Sequence, residues 1–268
     1  MITYDSHPRP PMSEYGIGIP IAPNATRKTI ENLRADRRVG SLFATALTPQ
    51  EEAVITRADL ERVHSPAYVE RLYSAEVDRE IERTYELIDN EGNYHRYNPH
   101  RAERPLSELF DYALQTVAGS YDCCRRALQE VSCFYLGGGM HHGKHDTGDG
   151  FCLVNDVVLA ARKVQAEDLA HRIWIIDLDV HKGDGTAELT VGDNTIRTLS
   201  IHMARGWPLD REQRLPDGSL HPSHIPSDID IGVDEGEEDA YVPLLEEGLD
   251  RLDELERPDL AIVLYGAD

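Results

Sequence analysis

Side chains able to do chemistry crowd into four short stretches of this 268-residue chain. The first, "GGGMHHGKHDTGDGFC" at 137–152, sets His141 and His142 side by side in a backbone too rich in glycine for helix or strand. Glycine lets such a loop approach a ligand closely, and imidazole is the group poised to move protons near neutral pH. The second, "DLDVHKGDG" at 177–185, holds Asp177, Asp179, His181 and Asp184. Along a strand, residues i, i+2 and i+4 share a side, so this spacing predicts Asp177, Asp179 and His181 projecting together. Two carboxylates and an imidazole so placed repel or titrate badly unless a cation joins them, and a divalent metal answers that. Asp179 and His181 then form a ligand pair, and Asp268, closing the stretch "YGAD", is the natural third ligand. Two carboxylates, one imidazole and an open position describe a catalytic metal site, although donors this mixed do not separate zinc from ferrous iron. The paired imidazoles each need a partner to fix a tautomer, and Asp177 and Asp184 are spare carboxylates for that purpose.

The elements that must carry these groups follow from periodicity. Residues 106–130 have helical spacing, 131–136 ("VSCFYL") form a short buried strand, and 155–169 a helix. Strands are expected at 172–181, 196–202 and 259–268, with a helix at 239–256. Upstream, 48–88 is helical with a Ser-Pro break at 65–66, while residues 1–35 and 90–105 are expected as loops. Continuous apolar strands alternating with helices indicate an α/β domain, mainly parallel, with helices on both faces of the sheet. Ligands of such sheets bind beyond the carboxyl ends of the strands, and every unusual cluster here sits at such an end.

Bulk composition narrows the field. An apolar fraction of 40% and a charged fraction of 28% are those of a soluble globular chain, and 268 residues suffice for one large α/β domain or two small ones. The N-terminus has no apolar signal region and no run approaches the ~18 apolar residues of a membrane span, so a cytoplasmic protein is expected. A net charge of −22 argues against a nucleic-acid partner. Fourteen acidic and two basic residues fall within 228–259, read as a solvated acidic surface or as an attractor of cationic substrates. Cys123, Cys124, Cys133 and Cys152 form no C-x-x-C pair and are expected as small buried residues in a reducing compartment.

The run "GGGMHHGKHDTGDGFCLVNDVVLA", followed by "IIDLDVHKGDGTAEL", "LSIH" and "YGAD", resembles the histone deacetylase superfamily. That group includes bacterial deacetylase-like amidohydrolases, acetylpolyamine amidohydrolases and acetoin-utilisation proteins. "RVHSPAYVERL" at 62–72 is similar to a segment near the start of that domain, so the likeness covers about 60–268. The resemblance implies a single arginase/deacetylase-like α/β domain over 1–268. It implies zinc held by Asp179, His181 and Asp268, and hydrolysis of an acylated lysine or related acylated amine. His142 matches the general base and acid, His141 an electrostatic helper, and Asp177 and Asp184 their respective partners. Phe151 and Gly150, in "GFC", match the wall of the acyl channel. Asp177, Ser200 and the backbone near His181 and Ile201 match a site for potassium or another monovalent cation.

Several positions depart from the family pattern. Met140 stands where an aromatic is common, and Lys182 where many members have a further histidine. No carboxylate before residue 105 matches the substrate-gripping acid of eukaryotic members. Members also continue past the third ligand to a tyrosine that hydrogen-bonds the oxyanion, so the sequence is expected to lack its C-terminal portion. Three alternatives stay open beside a lysine deacylase: an acetylpolyamine or other small-amide hydrolase, a non-catalytic metal-containing acyl-lysine binder, and a scaffold. His145 and His202 are read as loop and structural residues, and His64 receives no role.

Overall fold

Asp177 and its neighbours are positioned by a four-stranded parallel sheet whose strands, in spatial order, are Ile229–Val233, Ile196–Met203, Ile173–Asp177 and Leu260–Leu264. The computed structural model describes residues 1–4, 9–19, 25–42, 54–89 and 91–266. In chain order, β1 (Ile2–Tyr4) pairs in parallel with β2 (Phe134–Leu136). Helices α1 (Ala25–Ala35), α2 (Arg57–Leu60), α3 (Pro66–Leu72) and α4 (Val77–Thr84) lie between them, followed by the long α5 (Glu108–Glu130). Next come α6 (Asp156–Ala166), β3 (Ile173–Asp177), α7 (Asp184–Thr190) and β4 (Ile196–Met203). The chain continues through β5 (Ile229–Val233), α8 (Tyr241–Asp253) and β6 (Leu260–Leu264).

Alternation along β3 divides the core. Ile173 and Ile175 face one apolar cluster, shared with α5 and α6. Ile176 faces the other, where Leu199, Ile201, Ile229 and Ile231 meet α8 through Leu252. Central strands therefore read as continuous apolar runs, because both faces are covered. Local signals start the helices: Ser65 caps α3 by accepting the Tyr68 N–H at 3.1 Å with Pro66 just inside, and Thr56 and Asp59 form a capping box on α2.

Four expectations need correction. The N-terminal 35 residues are not all loop, since they supply β1 and α1. The strand expected at 131–136 is shorter and not buried. Val131 ends α5 at a φ of 73° and is almost fully exposed, and Phe134 is 46% exposed because β2 pairs only with β1 among the described residues. The strand expected at 172–181 stops at Asp177, and that expected at 259–268 stops at Leu264. An unexpected strand, β5, lies at the sheet edge, where its sequence "IDIGV" alternates rather than running apolar. All four cysteines are free thiols; Cys124 and Cys152 are buried, Cys123 and Cys133 half-buried. Among the described residues no helix is long and apolar enough to cross a membrane.

Candidate active site

The glycine loop after β2 is pinned from beneath by the residues that begin α6. Asn155 caps that helix by accepting the Val158 N–H at 3.0 Å. Its amide nitrogen donates to the backbone carbonyls of His141 at 3.3 Å and Gly143 at 3.4 Å. Asp156, fully buried, accepts the N–H groups of Met140 at 2.6 Å and Gly139 at 3.2 Å, and the Ser120 hydroxyl. His64 adds a third tie: Nδ1 donates to the Lys144 carbonyl at 2.8 Å, and Nε2 accepts the Asn155 N–H at 3.2 Å. Burial pushes the His64 pKa down to about 4, so the ring is neutral and can serve both bonds. His64 received no role from its sequence context; its function in the fold is this staple.

So held, the loop presents two imidazoles whose ring centroids lie 4.0 Å apart. Each is only 4% exposed. His141 Nδ1 donates to Asp177 Oδ2 at 2.7 Å, and His142 Nδ1 donates to Asp184 Oδ1 at 2.7 Å. A carboxylate can only accept, so both rings carry a proton on Nδ1 and turn Nε2 toward the other site residues. The two environments then diverge. Burial opposes charge on His141, but the Asp177 carboxylate beside it prevails and pushes the pKa up to about 9. Burial holds the His142 pKa below its ordinary value, helped by the charge of His141, against the pull of Asp184. The surroundings thus drive His141 toward its charged form and His142 toward its neutral form, a divergence set by environment.

Asp184 opens α7 and is completely buried. Burial alone would raise its pKa, yet it is held well below the usual carboxylate range by His142 and by the Lys144 ammonium. Oδ1 accepts from His142 and from the Gly185 N–H at 3.0 Å; Oδ2 accepts from Lys144 Nζ at 2.8 Å and from Ser223 Oγ at 2.7 Å.

Beyond Asp177 the backbone leaves the sheet, which corrects the expectation that strand alternation aligns Asp179 and His181 with it. Asp177 Oδ1 accepts the Asp179 N–H at 3.1 Å, and Asp179 Oδ1 accepts the His181 N–H at 2.7 Å. Each aspartate bonds the backbone two residues on, the Asx habit that competes with strand pairing. The groups still converge: Asp179 Oδ1 lies 3.2 Å from His181 Nδ1 and 3.7 Å from His141 Nε2. Space for this is tight, since a Cβ on Gly183 would fall 2.2 Å from Asp177 Oδ2. Asp268 lies outside the described residues, and among those described no group of three or more His, Cys, Asp and Glu is arranged to hold a metal. Asp179 and His181 bring together one carboxylate and one imidazole, donor types that zinc accepts.

Ser200 is the register partner of Asp177 across β3 and β4, and its buried hydroxyl has no hydrogen-bond partner among the described residues. A buried oxygen left over beside a carboxylate fits a cation site. His202 is half-satisfied: Nδ1 bonds the Met203 carbonyl at 2.8 Å, whereas Nε2 stands 3.7 Å from Asp230, which Lys182 engages at 2.9 Å.

Sequence reasoning missed Trp207. Its ring meets His142 edge-on at 4.5 Å and His181 at 5.6 Å. A Cβ on Gly150, whose φ is +50°, would lie 2.3 Å from that indole and 2.7 Å from His142. Phe151, 44% exposed, packs against Tyr85 at 5.8 Å. The segment "GWPLD" reads as an ordinary turn, so only the three-dimensional position marks Trp207.

The histone deacetylase domain profile matches residues 20–268. The chain belongs to the histone deacetylase family. An uncharacterized protein of Picosynechococcus sp. is 32% identical over 213 residues, covering 79% of this chain and 61% of that protein. Histone deacetylase 2 of Oryza sativa subsp. japonica is 27% identical over 261 residues, covering 95% of this chain and 48% of its own length. This histone deacetylase family chain thus spans about half to three-fifths of the curated relatives it matches first. Among solved structures, an acetylpolyamine aminohydrolase from Burkholderia pseudomallei superposes with a TM-score of 0.66 at 16% identity, covering 99% of this chain and 81% of that one. The HDA15 HD domain gives 0.62 at 19% identity, covering 98% and 73%. The fold is accordingly the arginase/deacetylase fold, α/β with parallel sheets and helices.

Proposed function

We propose that this protein hydrolyses the amide bond of an acylated lysine or a related acylated amine, using zinc. The observation that carries this reading is the adjacent pair of imidazoles, each bound to its own buried carboxylate, one held neutral and the other charged beside Asp179 and His181. Asp179, His181 and Asp268 would hold the zinc ion, which when bound polarises the acyl carbonyl and acidifies water. His142 accepts the proton of the attacking water at Nε2, because Asp184 fixes its other proton on Nδ1. The same Nε2–H then protonates the departing amine. His141 remains an imidazolium through this cycle and stabilises negative charge gathering on the acyl oxygen. Trp207 and Gly150 flank His142, with Phe151 next in the chain, and would exclude water from the acyl group. Asp177, Ser200 and the backbone of Ile201 would hold a monovalent cation such as potassium, whose charge would favour the ionised form of Asp177.

A second reading is favoured by one feature. Asp179 lies on a cavity of about 1050 Å³ whose rim includes Glu235 and Glu238, with Asp234 paired to Arg205 at 3.2 Å. That rim suits a substrate with further ammonium groups, as in an acylated polyamine. A panel of acetyl-lysine peptides and acetylated polyamines, run with metal analysis, separates the two readings. Substituting Asp179→Ala is expected to abolish stoichiometric zinc, and His142→Ala to slow turnover by ~10²–10⁴-fold with zinc retained. Full metal content in Asp179→Ala, or no turnover of either substrate class, overturns the proposal.

A further inference from the structure

Behind His142 lies a charged network of which the hydrolytic reading uses only Asp184. Arg211 grips Asp149 with both arms, one at 2.9 Å and one shorter, and reaches Ser223 Oγ at 3.3 Å. Its guanidinium also lies over the Trp207 ring at 5.5 Å, within cation–π range. Asp149 immediately precedes Gly150 and Phe151, while Arg211 follows Trp207 by four residues. One side chain therefore connects the two loops that flank the base. Lys144, 4% exposed, closes the circuit by bonding both Asp149 and Asp184, and Ser223 donates to Asp184 in turn.

We propose that the Asp149–Arg211 pair, seated on Trp207, is a brace that sets the separation of the Phe151 and Trp207 loops and so the size of acyl group admitted beside His142. Arg211 is a positioning and specificity residue here, since it acts through Trp207 and Asp149. The proposal rests on the acyl-amide reading of the site. Two cations and two carboxylates make up the network, so a rival role exists: Arg211 could serve only to balance charge. Geometry argues for the brace. A bidentate grip combined with ring stacking needs the planar fork of arginine, which an ammonium cannot reproduce. A carboxylate already bonded to Lys144 needs no second cation in that form.

Arg211→Lys keeps the charge and discards the fork, so it separates the two roles. With the brace, Arg211→Lys and Arg211→Ala both raise KM for an acetyl substrate by about 10-fold with kcat within ~3-fold, the pattern of lost uniform binding. Both also raise the butyryl-to-acetyl ratio of kcat/KM by about 10-fold, the discrimination typical of a methylene-sized change in a pocket. Independently of turnover, acrylamide quenching of tryptophan emission should rise by about half or more in both variants, because Trp207 loses its cover while Trp174 is untouched. Wild-type selectivity and quenching in Arg211→Lys would show that charge alone matters and overturn the brace. So would unchanged quenching in Arg211→Ala, or failure of both variants to fold. If the wild type turns over no acyl amide, the hydrolytic reading falls while the quenching comparison still judges the brace.

Discussion

The staple formed by His64 gives the loop that carries His141 and His142 an acid-sensitive hinge. The ring is buried and neutral, with its pKa pushed from 6.5 down to about 4. An unfolded chain binds a proton there near pH 6.5, whereas the folded protein resists until about pH 4. The unfolded state therefore holds more protons across that window, so stability rises with pH through it and is lost on acidification. Each unit of pKa difference corresponds to ~1.4 kcal/mol, so the full penalty below pH 4 is roughly 3 kcal/mol, of which about 2 kcal/mol has accrued by pH 5. Urea unfolding at half-unit steps from pH 7 to 5, followed by near-ultraviolet circular dichroism, reads this directly. With a typical m of ~2–3 kcal/mol/M, the midpoint should fall by a little under ~1 M over that range.

Other groups titrate in the same window, so the decisive comparison is with His64→Gln. An amide can donate to the Lys144 carbonyl and accept from the Asn155 N–H, yet it has no proton to gain. The variant is expected to start less stable at pH 7 and to fall less steeply, so that the two curves converge toward pH 5. Parallel curves would refute the reasoning, because they would place the His64 pKa at its ordinary value and the ring in contact with water.

Two further substitutions probe how the loops hold the site. Gly183→Ala has an ordinary backbone, φ −72°, but its Cβ would meet Asp177 Oδ2 at 2.2 Å. It is expected to cost ~1–3 kcal/mol in thermal unfolding as an overpacked site, and to lower kcat about 10²-fold by displacing the partner of His141. A fully active, equally stable Gly183→Ala would mean that this contact is relaxed in solution. Asp156→Asn keeps the shape but turns one acceptor into a donor facing backbone N–H groups, so a loss of ~1–3 kcal/mol by thermal unfolding is expected. An unchanged melting temperature would remove Asp156 as the anchor of the glycine loop.

How far the sequence foretold this arrangement depended on whether a residue's partners lie along the chain or across it. The apolar runs of β3 and β4 announce themselves because both sheet faces are covered, whereas β5 hides because an edge strand alternates like a loop. Short β1 offers three residues before a proline-rich stretch, too few for any period to show. Within the site, types and spacing drew notice to His141, His142, Asp177, Asp179, His181 and Asp184. Their pairing is a fact of the fold: 36 residues separate His141 from Asp177, and 42 separate His142 from Asp184.

The prediction that failed in its route is the most instructive. Strand alternation was to align Asp177 with Asp179 and His181, but the strand ends at Asp177 and two successive aspartate turns take over. Aspartate at every second position can satisfy either pattern, because a side chain that could project from a strand can equally fold back on its own backbone. The buried position of Asp177 decides between them. One oxygen is committed to His141, and the other can be satisfied at 3.1 Å by turning the chain back upon it. Asp177 thus shapes the backbone that presents Asp179 and His181 as well as orienting His141. A change at Asp177 should therefore disturb the base pair and the candidate metal ligands together, whereas a change at Asp184 should disturb His142 and leave the Asp179–His181 turn in place.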